Sequence, residues 1–192
     1  MRVRILIPVV VLSLTALGAC GGSDKPKAES ESTSTAPSPG GTAHVAKAAT
    51  DDPSVSAKMV CSDEAQEDIY KGATGVKPTK VTTPTWEDHV YACDFVYPNG
   101  TMRLETKELA DADATKKFFD EQAEKLGKKE PLTGIGEEGF STDDGGAVIR
   151  KDYKVLTVDV SKLPAQFGLP LSPRSDVAIN TAFTIFQCWV GA

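Results

Sequence analysis

The segment GIGEEG, residues 134–139, has the G-x-G-x-x-G spacing of many dinucleotide-binding loops. This spacing holds a pyrophosphate only when a strand leads into the glycines and a helix leaves them with its N-terminal N–H groups facing the phosphates. Before it, the sequence predicts a helix and the loop GKKEPLT rather than a strand, and after it the polarity alternates as in strands. Glu137 and Glu138 would also repel a pyrophosphate. We therefore predict no nucleotide cofactor.

Two other side chains, those of His89 and Cys188, belong to types that act in nucleophilic catalysis. The sequence does not place them together, so a hydrolase that uses His89 or Cys188 is an alternative only. The chain has no G-x-S-x-G elbow, no P-loop, no H-E-x-x-H and no paired C-x-x-C. We predict that the protein is not an enzyme and has no catalytic, cofactor-binding or metal-binding residues.

The first nineteen residues have the organisation of an export signal. Arg2 and Arg4 precede an apolar run, residues 5–17, which is shorter than the roughly 20 residues that span a bilayer. The run ends in LGAC, which resembles the lipobox of bacterial lipoproteins, where cleavage precedes the cysteine and its sulfur receives a diacylglyceryl group. We predict a signal peptide over residues 1–19 and a lipid on Cys20 that holds the protein on the outer face of the cell membrane. An ordinary secretory signal followed by a coincidental cysteine is the alternative.

Residues 20–58 are rich in Ser, Thr, Pro, Gly and Ala and contain almost no large apolar side chain. Such a segment buries too little surface to offset its ordering entropy, so we predict a flexible tether. Removal of residues 1–19 takes away two arginines and no acid, which changes the net charge from −6 to −8. This acidic balance argues against a nucleic-acid partner and leaves membrane attachment to the lipid alone.

The remaining residues, 59–192, are predicted to form one globular domain. Three helices are expected from their capping residues and apolar stripes. Their N-caps are Ser62, then Asp111 or Asp113, and Ser172, the last followed by Pro173 in the first helical position.

Strands are expected between these helices. Residues 89–109 alternate in polarity around Asn99-Gly100, a pair typical of a type I′ turn, so they predict a β-hairpin. Alternating runs after residue 140 predict about three more strands. The order of elements predicts an α+β fold, a two-layer sandwich in which about three helices cover a mostly antiparallel sheet.

With Cys20 lipidated, three cysteines remain in an oxidising compartment, and they allow one bond and one thiol. Cys61 starts the first helix and Cys93 lies on the expected buried face of the following strand, so we predict a Cys61–Cys93 disulfide. A Cys61–Cys188 bond is the alternative, because the first and last helices would also bring these residues together if they lay side by side.

Four segments of the folded part carry a family resemblance: MVCSDEAQEDIYKGATG, YACDFVYPNGTMRLETKEL, GIGEEGF leading to VIRKDYKVLTVDVSKLP, and FQCWVG. They resemble small secreted lipoproteins of actinobacteria whose domain has no assigned function. The shared motifs are structural: a helix headed by cysteine, a hairpin that bears a cysteine, and a glycine loop before strands. The resemblance implies an α+β sandwich at the cell surface and transfers no catalytic residue.

From these features we expect a membrane-anchored, extracytoplasmic lipoprotein that acts as a non-enzymatic binding or interaction module. Its partner would be a cell-envelope protein or an apolar ligand. The alternative is a carrier of a lipid-like molecule, with a cavity between sheet and helices lined by residues such as Phe118, Phe183 and Trp189.

Overall fold

The computed structural model describes residues 49–189, apart from the side chain of Cys188. The helices are α1 (Val55–Met59), α2 (Asp63–Ile69), which continues into a π-helical turn (Tyr70–Thr74), α3 (Ala112–Leu126) and α4 (Arg174–Cys188). The strands are β1 (Lys80–Val81), β2 (Thr85–Glu87), β3 (Val90–Tyr97), β4 (Gly100–Glu108), β5 (Lys128–Pro131), β6 (Glu138–Thr142), β7 (Ala147–Lys151), β8 (Lys154–Lys162), β9 (Gln166–Phe167) and β10 (Ser172–Pro173). The predicted signal peptide, Cys20 and most of the predicted tether lie outside the described residues.

Eight of the strands form one sheet in the order β1-β3-β4-β8-β7-β6-β5, with β2 also paired to β3. Every pairing within the described residues is antiparallel. The predicted α+β sandwich with a mostly antiparallel sheet is therefore confirmed. The sequence pattern missed β1, β2, β5, β9 and β10, because strands of two to four residues are too short to show an alternation in polarity.

The helices divide between the two faces of this sheet. Ile149 and Leu156 point to the face that α2 and α4 cover, where the larger apolar core lies. Their chain neighbours Val148 and Val155 point to the other face and pack with Phe119 of α3. The period of two along β7 and β8 thus supplies apolar side chains to both helical layers.

Two of the predicted helix caps are present. The Ser62 hydroxyl accepts a hydrogen bond from the Ala65 N–H at 3.2 Å, and Asp111 accepts one from Ala114 at 2.8 Å. The predicted cap of the last helix is wrong. Ser172 pairs with Phe167 in the β9–β10 ribbon. The backbone is still extended at Pro173, so α4 begins at Arg174. No helix within residues 49–189 has the length and apolar character needed to cross a membrane.

The predicted β3–β4 hairpin is confirmed, but its predicted type I′ turn is wrong. Tyr97 pairs with Gly100, so the two turn residues are Pro98 and Asn99. A type I′ turn needs positive φ at both central residues, and the proline ring holds φ near −65°. Gly100 is required for a different reason, since a Cβ at this position would lie 2.4 Å from the carbonyl oxygen of Lys162.

The fold begins before the predicted domain boundary between residues 58 and 59. Ser54 caps α1, its hydroxyl donates to the carboxylate of Glu108 on β4, and its N–H donates to the same oxygen at 3.3 Å. The indole N–H of Trp86 donates to the carbonyl oxygen of Asp51 at 2.7 Å. Hydrogen bonds hold this part of the predicted tether. Its low content of apolar residues therefore did not reveal, in the sequence, that it belongs to the folded domain.

Strand β4 runs between two ends of the domain. The strand ends at Glu108, and the described chain begins beside it: the N–H of Ala49 donates to the carbonyl oxygen of Leu109 at 3.0 Å. We call this the junction end, and we call the opposite end, at Gly100, the hairpin end. The rise of about 3.3 Å per strand residue separates the two ends by about 26 Å.

Candidate functional site

The predicted disulfide is confirmed, since Cys61 and Cys93 are bonded, with their Cα atoms 6.1 Å apart. Both residues are buried in the larger core, midway between the two ends of the domain. Helices α2 and α4 do pack against each other, as the rival pairing of Cys61 with Cys188 required. Packing of these helices therefore does not decide the pairing by itself, and it is Cys93, buried on β3, that is bonded to Cys61.

His89 lies on the surface, in the turn between β2 and β3 at the junction end. Its φ is +58°, its Nδ1 lies 3.1 Å from the carbonyl oxygen of Thr50, and its ring meets that of Trp86 edge to face. These contacts fasten the start of the described chain to the sheet. Cys188 is the last residue of α4, and its side chain is outside the description, so the structure gives no distance between the two groups.

The three aromatic residues expected to line one cavity are dispersed. Phe118 packs with the α3 cluster on one face of the sheet. Trp189 is buried on the other face and donates its indole N–H to the carbonyl oxygen of Ser56 at 2.8 Å. Phe183, on α4, is 39% exposed. A single cavity lined by all three is therefore excluded, because the sheet separates Phe118 from the others.

The glycine loop connects two strands. The segment GKKEPLT before it was predicted to be a loop, but it contains strand β5. Strand β6 begins at Glu138, within the glycine motif. The two strands are antiparallel neighbours, with Pro131 opposite Phe140. No helix leaves the loop, so it lacks the N-terminal N–H groups that a pyrophosphate site needs. The rejection of dinucleotide binding rests on this connection to β6.

A cleft of about 490 Å³ lies between the glycine loop and the last turns of α4. Its walls come from the loop, from the turn between β7 and β8, and from one side of α4. The lining residues are Gly134, Ile135, Gly136, Glu137, Lys151, Asp152, Phe183, Phe186 and Gln187. The β7–β8 turn lies next to the end of β4, which places the cleft at the junction end.

The loop fits against α4 because it carries glycine where the backbones come closest. Gly136 has φ +63°, and a Cβ there would lie 2.5 Å from Ile149, 2.7 Å from the carbonyl oxygen of Arg150 and 3.1 Å from the ring of Phe186. Between the glycines, Ile135 is only 3% exposed and joins the larger core. The glycines thus allow the buried side chain of Ile135 to hold the backbone of the loop along the cleft.

One edge of the cleft is fixed by ion pairs. Glu137 pairs with Arg150, which also contacts Glu138 with a distance of 2.8 Å between nitrogen and oxygen. The second oxygen of Glu137 accepts a hydrogen bond from the N–H of Asp152 at 3.2 Å. These acids, which the sequence alone marked only as repulsive to phosphate, hold the loop to the β7–β8 turn.

The cation of the cleft is Lys151. Its ammonium lies 3.5 Å from the carbonyl oxygen of Trp189 and 3.9 Å from the carboxylate of Asp152, both long contacts, and its side chain is 27% exposed. It stands beside the aromatic wall formed by Phe183 and Phe186. An apolar wall next to a weakly engaged ammonium suits a molecule with an apolar body and an anionic or polar head.

A second, smaller cavity of about 180 Å³ lies on the other face of the sheet, under the end of α3. It is polar, and its arginine is already paired: Arg103 contacts Glu105 and lies 3.2 Å from Asp94. The hydrogen bond to Glu105 is the main cause of the raised pKa of Arg103, with Asp94 adding to it. We regard this cavity as a solvated gap beside a surface ion-pair network.

The cleft at the junction end is therefore the better candidate site. Among the described residues, which leave out the side chain of Cys188, the lining contains no serine, cysteine or histidine, and no group of three or more His, Cys, Asp or Glu side chains is arranged to hold a metal ion. The arrangement can bind a small molecule, with orientation given by Lys151 and by the loop backbone. Comparison of the chain with protein-family models, with curated proteins and with solved structures found no match.

Proposed function

We propose that the protein is a lipid-anchored, extracytoplasmic, non-enzymatic binding module whose ligand site is the cleft beside the glycine loop. The cleft itself is the observation that carries this proposal. Its volume of about 490 Å³ falls within the range of small-molecule sites. It combines an apolar wall with a few polar groups, the combination by which such sites bind and orient a ligand.

The ligand class that fits is an amphiphile. Phe183 and Phe186 offer ring faces and edges to an apolar chain, and Ile135 closes the floor. Arg150 pairs with Glu137, and Lys151 lies 3.9 Å from the carboxylate of Asp152, so Lys151 is the cation in the lining that would face a polar or anionic head. This choice brings together the two hypotheses from the sequence, a binding module and a carrier of a lipid-like molecule.

The anchor proposed at Cys20 would keep this cleft near the membrane. A diacylglyceryl group supplies two chains, and two chains hold a protein durably whereas one does not. The part of the predicted tether that precedes the described residues, 20–48, would have an end-to-end distance of about 30 Å if it behaves as a flexible coil. It joins the domain at the junction end, the same end at which the cleft opens, which supports an amphiphile exchanged with the bilayer. The resemblance of four segments of the chain to actinobacterial lipoproteins would imply the same location.

A fluorescent fatty acid tests the ligand class. We expect dansyl-labelled undecanoic acid to bind the purified full chain with a blue-shifted emission. Phe183→Asp should weaken binding at least tenfold, because it places a charge on the apolar wall, and Lys151→Glu should weaken it severalfold by repelling the carboxylate. Phe118→Asp, on the opposite face of the sheet, is the matched control and should bind as the unaltered protein does.

Two results of this titration would contradict the proposal. One is the absence of binding by the unaltered protein to the dansyl fatty acid and to an uncharged dansyl alkane. The other is an equal loss of affinity in Phe183→Asp and Phe118→Asp. Binding of the uncharged probe alone would retain the apolar site and remove the anionic head from the proposal.

The anchor has a separate test. Cys20→Ser should release the protein into the medium or leave it uncleaved and without lipid. Mass spectrometry of the mature N-terminus should find the diacylglyceryl group on Cys20 in the unaltered chain. A processed Cys20→Ser protein that stays in the membrane fraction with unchanged mobility would contradict the anchor and leave the cleft proposal intact.

A further inference from the structure

A pair of exposed leucines stands at the hairpin end of the domain. Leu169 and Leu171 are each 69% exposed, and they flank Pro170 in the connection between β9 and β10. We call residues 169–171 the leucine loop. Single exposed apolar side chains are ordinary on a protein surface, whereas two that adjoin each other form a small patch that a partner can cover.

The backbone of the leucine loop is held in place while its leucine side chains project. The Leu169 N–H donates to the carbonyl oxygen of Thr74 at 2.8 Å. A Cβ on Gly75 would lie 1.9 Å from the Leu169 carbonyl oxygen, and one on Gly168, where φ is +96°, would lie 2.7 Å from the Thr74 oxygen. Only glycine permits this approach of the two segments, so the projection is a built feature of the fold.

The loop lies at the end of the domain opposite the junction with the predicted tether. Phe167, which precedes the loop, packs its ring on Tyr97 at 4.8 Å, beside the β3–β4 turn. Ala49 binds at the other end of β4, about 26 Å away. With the anchor proposed above, the leucine loop would therefore lie at the end of the domain remote from the point where the tether is attached.

We propose that the leucine loop docks into an apolar groove on a partner protein of the cell envelope. Residues 166–173 contain no charged side chain, and the mature chain is acidic, so the loop lacks the basic residues that draw a protein surface to anionic lipid. Two leucines expose at most a few hundred Å², well below the roughly 800 Å² per partner of a standard interface, so the contact depends on how fully the partner encloses them. Two copies meeting here would set one projection against another and enclose neither. A concave groove encloses such a projection more completely than a flat surface does.

The experiment is site-specific photocrosslinking of the full-length protein in intact cells, with benzoylphenylalanine in place of Leu171. The matched control carries the same group at Val55, which is 73% exposed at the junction end. We expect one protein adduct from position 171 that position 55 does not give. The crosslinked protein, identified and purified, should bind the full chain directly, and Leu169→Ser with Leu171→Ser should weaken this binding at least tenfold.

Four outcomes would overturn the proposal: lipid adducts only, an adduct to a second copy of the chain, the same adducts from both positions, or binding that the serine substitutions leave unchanged. Circular dichroism and thermal unfolding verify the fold of the double variant, and Leu171→Ser alone replaces it if it fails to fold. The argument from position rests on the proposed anchor, but the direct binding measurement does not. Phe183→Asp should leave this binding unchanged, which keeps failure at the cleft separate from failure at the loop.

Discussion

The two ends of the domain carry opposite kinds of surface. The junction end has a concave cleft with a charged rim, in which Glu137 and Arg150 hold a loop against the sheet. The hairpin end has a convex apolar projection, Leu169 and Leu171, on a backbone packed through glycines. A concave surface can surround a small molecule, whereas a projection must itself be surrounded. This difference in shape underlies our proposals of ligand binding at the junction end and of docking at the hairpin end.

The ends also differ in how the chain is held. At the junction end, hydrogen bonds from Ser54 to Glu108 and from Trp189 to Ser56 attach α1 to the sheet and to α4. At the hairpin end, close backbone contacts and the buried ring of Tyr97 perform this role. Polar attachments tolerate local opening more readily than close packing does, so we expect the junction end to open first.

Loss of the disulfide should have the largest effect, because it joins the segment between α1 and α2 to the middle of the sheet. The bond spans 32 residues, for which restriction of the unfolded chain contributes about 3–4 kcal/mol. We expect Cys61→Ala with Cys93→Ala to lower the free energy of unfolding by that amount, measured by urea denaturation. Hydrogen exchange should rise more in residues 49–60 than in residues 163–173, and a uniform rise would contradict the distinction between the ends.

Substitution of glycine should disturb each end separately. Gly136→Ala at the cleft and Gly75→Ala under the leucine loop each combine a left-handed φ with a Cβ closer than 3 Å to another atom, so each should cost about 2–3 kcal/mol by thermal denaturation. Gly134→Ala is the matched control: its φ is +79° but nothing lies within 4 Å of the added Cβ, so about 1 kcal/mol is expected.

The two costly glycine variants should also separate the two proposed activities. Gly136→Ala should reduce binding of the dansyl fatty acid and leave docking of the leucine loop intact, and Gly75→Ala should do the reverse. Loss of both activities in either variant, without global unfolding, would show that the ends are coupled.

Alkaline pH should weaken the hairpin end. Burial raises the pKa of Tyr97 to about 12, and within residues 49–189 the buried Tyr97 hydroxyl has no hydrogen-bond partner. Because the folded-state pKa lies above the ordinary value of about 10, this contribution is complete below pH 10 and is lost as the pH rises toward 12. Between pH 9 and 11 the unaltered protein should lose about 1 kcal/mol more than Tyr97→Phe, measured by urea denaturation at each pH.

Tyr91 is the control for this measurement, since a lesser burial also raises its pKa. Tyr91→Phe should remove less of the alkaline loss than Tyr97→Phe does. An identical pH dependence in the unaltered protein and in Tyr97→Phe would show that the hydroxyl of Tyr97 does not govern alkaline unfolding.

The smallest effect on stability is expected from the leucine loop. Leu169→Ser and Leu171→Ser replace side chains that are mostly in solvent, so each should change the free energy of unfolding by no more than about 0.5 kcal/mol. Guanidinium denaturation measures this change. A loss above about 1.5 kcal/mol would show that the leucines pack within this domain, and it would weaken the case for a partner.

Local features of the fold were readable from the sequence. Ser62 and Asp111 were recognisable as helix caps, and the alternation through Cys93 and Phe95 predicted β3 and its buried face. Predictions were wrong where contacts with residues far along the chain decide the local structure. Asn99-Gly100 is a good turn pair, but the pairing of Tyr97 with Gly100 moves the turn to Pro98-Asn99. Ser172 is a good cap, but it pairs with Phe167 in the ribbon.

By itself, the sequence determined the types of the main elements and the α+β class, because caps and alternation act over short stretches of chain. It favoured the pairing of Cys61 with Cys93 but left Cys61 with Cys188 as the alternative. The tertiary structure alone decided which face α3 covers, that the chain before residue 59 joins the sheet, and where both candidate surfaces lie. Ile135 and Phe186 are fifty-one positions apart in the numbering and meet at the cleft, and Thr74 holds Leu169 from a distant segment. Contacts of this range arise when the sheet assembles, and no local pattern encodes them.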